Sequence, residues 1–447
     1  MPRENGPVRP ATRISPRLVH TLRSGGGLFT LLVTAGCVAY SPHPIDPAAH
    51  AQQLRARRLA AKTWTLRALY EEADRSAPDV AVARAQYETA RAAILTAGER
   101  PNPTIALSPQ IVTPYTSWIA GTYGVDFDWT FETAGKRSRR LEVARANANS
   151  AAAQVVAAVW KARAAVRKAA LELYVADRRV ALLGEAVARQ NEVLQVLEER
   201  IQAGAESRRE TVQPRILQAQ LRLQAADAAK SASLARVALT EALGLSAEAL
   251  SGVQFSLENF GRVPVRPTNQ RRAALTHRAD VVAALADYAA AEGSLRLEVA
   301  KQYPDVHLNP GYQLDTGENK WSLGIGLTLP ILNQNRGPIR EAEAKRKEAE
   351  ARFHAVQARV LADCDRAWAT FKAAQAKLAT TEEMLSEQEK QLAFEQRLVT
   401  AGEGDKLALL SAKVERATTL TARLDALSEL QAAAGALEEA TQTPLEP

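Results

Sequence analysis

The 447 residues predict a mainly α-helical protein with a small membrane-type β region, organised as two structural repeats of one unit. Three observations predict it: an internal repeat of about 200 residues, a heptad seam in each copy, and four stretches of period-two alternation.

The repeat is read first, because it dictates the architecture of everything inside it. "DVAVARAQY" (Asp79–Tyr87) and "DVVAALADY" (Asp280–Tyr288) share Asp, Val, Ala, Ala and Tyr in register, 201 residues apart. Pro103 and Pro304 keep that spacing, and each opens a strand-like stretch. Farther on the offset is 198, which pairs "LEVARA" (Leu141–Ala146) with "IREAEA" (Ile339–Ala344) and Gly204 with Gly402. Each copy reads as helix, two strands, a very long helix, a turn and another helix. The first repeat covers 63–245, with strands at about 103–112 and 121–132 and long helices at about 138–203 and 208–243. The second covers 273–440, with strands at about 304–314 and 320–330 and helices at about 338–400 and 405–438. Residues 246–272, rich in Pro, Gly and Asn, read as the linker between them.

The seam runs through Val155, Val159, Ala162, Val166, Ala169, Leu173, Ala176, Val180, Leu183, Val187, Gln190, Leu194, Leu197 and Ile201. Spacings alternate 4 and 3, a 3.5-residue period that implies coiled-coil-like packing. Moving 198 residues on gives Phe353, Gln357, Val360, Cys364, Ala367, Phe371, Ala374, Leu378, Thr381, Leu385, Gln388, Leu392, Glu395 and Val399. Gln388 falls where Gln190 did, and Cys364 takes the place of Val166, the role of a small apolar residue. Leu141 to Ile201 alone makes roughly 90 Å of helix. A compact domain has no use for that length, whereas a structure bridging a wide compartment does.

The strands alternate strictly. In "WSLGIGLTLPILNQNRG" (Trp321–Gly337), Trp321, Leu323, Ile325, Leu327 and Leu329 are separated by Ser322, Gly324, Gly326 and Thr328. "GVDFDWTFE" (Gly124–Glu132), "PTIALSPQI" (Pro103–Ile111) and "DVHLNPGYQ" (Asp305–Gln313) share the habit. Segments of about ten residues, greasy on one face and polar or small on the other, suit a membrane β-barrel. A soluble sheet with one buried face alternates likewise, but helices of this length offer it no obvious core. In lipid every backbone group must pair and no edge can stay open. Four strands cannot close a barrel, so several copies must pool theirs, and the chain is expected to be a homo-oligomer.

Composition narrows the rest. Fifty-seven Lys and Arg against 50 Asp and Glu give a formal charge of +7, but the basic residues are spread through helices opposite acids, which argues against nucleic acid. Two cysteines, Cys37 and Cys364, exclude a disulfide framework. No apolar run reaches 18 residues, so no transmembrane helix is expected. Five arginines precede "LFTLLVTAGC" (Leu28–Cys37), which reads as an export signal over 1–36. Ala35 and Gly36 before Cys37 resemble a bacterial lipobox, although Thr34 departs from its usual leucine, so 37–62 is expected to be a lipidated N-terminal segment.

With these pieces in place, the chain resembles the TolC family of outer-membrane efflux factors over about residues 60–440. "RADVVAA" with "YPDVHLNPGYQ", "LPILNQNRGPIREAEA", "FETAGKRSRR" (Phe131–Arg140), and the turns "RIQAGAES" and "RLVTAGEGD" carry the likeness. "ETAGKR" and "PILNQNRGPI" look most like the CzcC-type branch, which serves heavy-metal export pumps. The resemblance implies a homotrimer with a 12-stranded barrel in outer-membrane lipid and an α-helical tunnel across the periplasm. It implies passive transport in a tripartite system with a periplasmic adaptor protein and an inner-membrane RND pump. It places adaptor contacts at the hairpin tips: Gly204, Ala205, Glu206, Ser207, Gly402, Glu403 and Gly404. Physically, a glycine is also expected wherever two antiparallel helices reverse tightly. The acidic ring of the best-known exporter aligns in the second repeat with Ala408 and Ser411 and is absent here. Glu210 keeps the acidic position of the first repeat, Pro214 replaces a usual alanine, and Arg208, Arg209 and Asp405 join Glu210 as candidates at the periplasmic aperture.

No catalytic constellation stands out, and neither a cofactor nor a resident metal is expected. The six histidines are scattered, no phosphate- or dinucleotide-binding fingerprint occurs, and Met is confined to Met1 and Met384. His307 falls on the polar face of a strand and reads as a solvated side chain. A drug-efflux or type I secretion conduit fits the same architecture. A periplasmic adaptor or coiled-coil scaffold fits less well, because adaptors carry one hairpin rather than two copies with strand pairs.

Overall fold

The computed structural model describes residues 40–111, 121–264 and 271–444. The export signal and Cys37 lie outside the described residues. The chain divides into two compact units, residues 1–52 and 53–447. In the first, Asp46 Oδ1 accepts hydrogen bonds from the Ala48 and Ala49 N–H groups and so caps the start of helix α1 (Pro47–Ala56).

The second unit begins with a short strand β1 (Thr63–Thr65) and helices α2 (Leu66–Ser76) and α3 (Pro78–Gly98). Strands β2 (Thr104–Ile111) and β3 (Gly121–Phe131) lead into α4 (Lys136–Gln202), and α5 (Val212–Ala242) returns. After strand β4 (Gln254–Ser256) and helix α6 (Arg271–His277), the same order recurs: α7 (Ala279–Ala300), β5 (Val306–Asp315), β6 (Glu318–Leu327), α8 (Arg336–Thr400) and α9 (Lys406–Thr441). At 67 and 65 residues, α4 and α8 are each about 100 Å long.

Helix α4 is the spine: α3, α5, α7 and α9 all pack on it, while α8 packs on α7 and α9. The seam of α4 is buried at Ala162, Val166, Ala169, Leu173, Ala176, Leu183, Gln190, Leu194 and Leu197, and is exposed at Val180. On α8 it is buried from Val360 to Leu378, then half-exposed from Thr381 to Val399. The second hairpin therefore leaves its seam less covered toward its tip. Cys364 is buried, its thiol 3.4 Å from the Ala440 carbonyl. Buried Gln190 donates to the Pro214 carbonyl at 2.8 Å, and Gln388 donates to Glu415 at 2.8 Å, so the polar seam residue ties its hairpin in both copies.

The linker is more structured than its composition suggests. Strand β4 pairs in parallel with β1, Thr63 opposite Gln254 and Thr65 opposite Ser256. Trp64, Leu257 and Phe260 join the core that Leu69, Val166, Leu173, Leu239 and Leu243 build. Other boundaries shift for local reasons. Strand β6 stops at Leu327 rather than reaching 330, because β5 begins at Val306, the partner of Leu327, and offers nothing beyond it. The helix read from 208 opens with a 3-10 turn (Arg208–Thr211), and its α part starts at Val212. Pro214 suits that start, since a first-turn residue has no intrahelical use for an N–H.

Candidate functional site

Four strands form one sheet in the order β2-β3-β5-β6, antiparallel throughout, with β2 and β6 as open edges. Within one chain it is a sheet and not a closed barrel. The register sorts side chains by face. Leu107 opposes Val125, which opposes Tyr312, which opposes Trp321; Phe131 opposes Val306, which opposes Leu327. All of these lie on one apolar face that the helices leave uncovered, and Trp321 is 81% exposed there. Such a patch marks an interaction surface. Tyr312 meets Trp321 across β5 and β6 at 4.8 Å, and Trp129 stacks on Phe131 along β3 at 5.1 Å.

The opposite face is polar and crowded. A Cβ on Gly124 would meet Ser108 Oγ at 2.5 Å, and one on Gly311 would meet Asp126 and Ser322 at 2.5 Å. Thr122 donates to Asp315 at 3.0 Å and Lys320 to Asp315 at 2.6 Å. His307, read as solvated, is instead held: its Nδ1 lies 3.1 Å from Asp128 Oδ1 and 3.2 Å from Thr130 Oγ1. The cross-strand pairing of Thr130 with His307 creates that contact, which linear spacing does not reveal. Among the described residues no group of three or more His, Cys, Asp or Glu is arranged to hold a metal ion.

Below the sheet, the "FETAGKRSRR" segment fastens strands to helices. Lys136 is buried, donating to Asp305 at 2.8 Å and to the Tyr303 carbonyl at 2.7 Å. Burial opposes the charge of Asp305, but the Lys136 ammonium and the Thr133 N–H outweigh it and hold the carboxyl below its usual range. Arg137 donates to the Gly98 carbonyl at 2.6 Å and Arg140 to the Glu99 carbonyl at 3.0 Å, satisfying the open end of α3. Arg140 also pairs with Glu132, whose hydrogen bond raises the guanidinium pKa further. A signal was available in the sequence: basic residues in a helix's first turn oppose its dipole, so they need partners elsewhere.

The two hairpin tips come together. Gly204 and Gly402 turn at φ +74° and +80°, the left-handed conformation that glycine takes cheaply. Asp405 caps α9 by accepting from the Leu407 N–H at 2.8 Å and forms an ion pair with Arg200 at the end of α4. Arg200, absent from the sequence-derived candidates, also lies 3.9 Å from Glu206. Its guanidinium holds the Asp405 carboxyl below the usual range. Ser207 accepts from the Arg209 N–H at 3.2 Å. Ala205, Glu403, Arg208, Arg209 and Glu210 are exposed.

An apolar sheet left bare of helices, two open edges and two helices of about 100 Å are together the parts of a membrane conduit. Residues 69–245 and 271–442 match the family described as outer membrane efflux protein. The chain belongs to that family. It is thus an efflux channel protein of the outer membrane and not an enzyme. It is 26% identical over 287 residues to the cobalt-zinc-cadmium resistance protein CzcC of Cupriavidus metallidurans, spanning 64% of this chain and 67% of that one. Its fold is similar to that of the outer membrane protein VceC of Vibrio cholerae, with a TM-score of 0.68 at 23% identity over 85% of this chain and 97% of VceC. The outer-membrane channel OprN is similar too, with a TM-score of 0.69 at 20% identity over 93% of this chain and the whole of OprN.

Proposed function

We propose that this efflux protein works as a homotrimer, the outer-membrane conduit of a tripartite RND-type system that exports heavy-metal cations. The open-edged sheet carries the conduit: one face suits lipid, the backbone groups of its two edges cannot stay unpaired in a bilayer, and three copies of four strands make a 12-stranded barrel. The likeness to a cobalt-zinc-cadmium resistance protein supports the cargo. On this reading the polar sheet face lines a water-filled duct, the hairpins continue it through the periplasm, and an inner-membrane pump supplies the energy. The tips around Gly204, Ala205, Glu206, Ser207, Gly402, Glu403 and Gly404 meet a periplasmic adaptor. Arg208, Arg209 and Glu210 stand free to reach a neighbouring copy at the aperture, whereas Asp405 is engaged within its own chain. Cys37 carries a lipid anchor.

The test is a tolerance panel in the native host with the gene deleted and restored, setting Zn, Co, Cd, Ni, Cu and Ag salts beside dyes, detergents and antibiotics. Sensitivity confined to metals and reversed by restoration is the expected result. Sensitivity to dyes and antibiotics with metals untouched moves the protein to the drug-efflux branch.

A further inference from the structure

We propose that Leu329, Ile331 and Leu332, with Tyr303 alongside, form an apolar foot that sits among phospholipids at the periplasmic rim of the barrel. The inference rests on the barrel reading above and extends it to a surface outside the strands.

Height is the first argument. The apolar face runs from the row of Tyr123 and Leu314 down to the row of Phe131, Val306 and Leu327. Eight residues of strand rise about 26 Å, which a typical barrel tilt reduces to a height of about 20 Å against a band of about 25 Å. The band therefore has room for about one further apolar row beyond those between Tyr123 and Leu327. Leu329 is the next residue in the same alternation, just past the last paired position.

Exposure is the second. Ile331 is 72% and Leu332 97% exposed, and Leu329 and Tyr303 are 60% exposed. Four apolar residues in two adjoining junctions are uncovered, while the scaffold beneath them is fixed by hydrogen bonds. The Ile331 N–H turns back to the Leu329 carbonyl at 2.9 Å, and the Gln334 N–H reaches the Pro330 carbonyl at 3.2 Å. Gln302 donates to the Gln334 carbonyl at 2.9 Å and Asn335 to the Glu298 carbonyl at 2.7 Å, pinning the turn to the end of α7. The leucines and isoleucine are therefore presented outward by an ordered turn. Exposed Arg336 follows directly, a cation at the height where lipid phosphates begin. Tyr303 suits the same level, since its ring is apolar and its hydroxyl wet.

The first repeat supplies the contrast. After Phe131 its junction reads Glu132-Thr133-Ala134-Gly135, and its polar groups are engaged, Thr133 with Asp305 and the Pro304 carbonyl and Glu132 with Arg140. A foot is thus specific to the second junction rather than a by-product of leaving a strand.

The test uses the full chain in native membranes with benzoylphenylalanine introduced singly at Leu332, at Leu323 on the strand face, and at Arg340 on α8. Photolysis followed by mass analysis should give phospholipid adducts at 332 and 323 and none at 340. An adduct at 323 with none at 332, or cross-linking of 332 to a second copy or another protein, overturns the foot and leaves the barrel standing. Absence of lipid adducts at both 323 and 332 overturns the barrel reading itself, and the foot with it.

Discussion

At the scale of single residues, the functionally telling side chains are charged groups whose partners lie far away in sequence. Lys136→Met leaves the partly buried Asp305 carboxylate without its ammonium, and about 2 kcal/mol of stability should be lost. Adding Asp305→Asn should restore much of it, read as urea midpoints of the detergent-solubilised protein in a double-mutant cycle. Asp405 sets a pH dependence. Its carboxyl is held below the unfolded value by Arg200, so the tip linkage is complete above about pH 4 and is lost as pH falls through the lower folded value. Amide exchange at 203–212 and 401–409, corrected for intrinsic rates, should therefore rise on acidification to pH 3, and Asp405→Asn should abolish most of that dependence. The sequence already placed Asp405 at the tip, because the aligned turns mark it. Arg200 was invisible, since the ion pair joins residues 205 apart that only the packing of α9 on α4 brings together.

At the scale of elements, three tip glycines that look alike in sequence do different work. Gly204 and Gly402 adopt positive φ with open space around the missing Cβ, so Gly→Ala at either should cost about 1 kcal/mol through backbone strain alone. At Gly404 a Cβ would lie 2.5 Å from the Val399 nitrogen, and Gly404→Ala should cost about 2 kcal/mol or more by forcing the turn apart. Local exchange protection, of the α4–α5 turn for Gly204 and of the α8–α9 turn for Gly402 and Gly404, would rank the three variants, and equal effects at 402 and 404 would contradict the packing argument. Long helices and strand faces were legible because periods of 3.5 and two survive any tertiary context. The ends of β6 and α5 were not, because β5's starting residue and a 3-10 first turn decided them. The pairing of β1 with β4 was beyond reach as well: three residues carry too little pattern to declare a strand.

At the scale of the whole molecule, the two sheet edges define how copies would join in the proposed trimer. In one chain β2 and β6 are three strand spacings apart, about 14 Å, too far for a disulfide. Gly324→Cys combined with cysteines scanned along β2 should therefore give only inter-chain bridges, seen as a ladder ending at three subunits on non-reducing gels. A ladder ending elsewhere would refute the trimer. The β1–β4 pairing bears on how such a chain reaches that state. Both strands precede the second repeat, and the core around them draws almost wholly on the first. Once residue 256 has emerged, the leading half can buckle shut before the trailing half exists. Among the described residues the trailing half has no such clasp, and it adds α9 to a spine already in place. The chain thus has a built-in order of events, in which the half carrying the spine matures first and serves as the template for the half that completes the sheet.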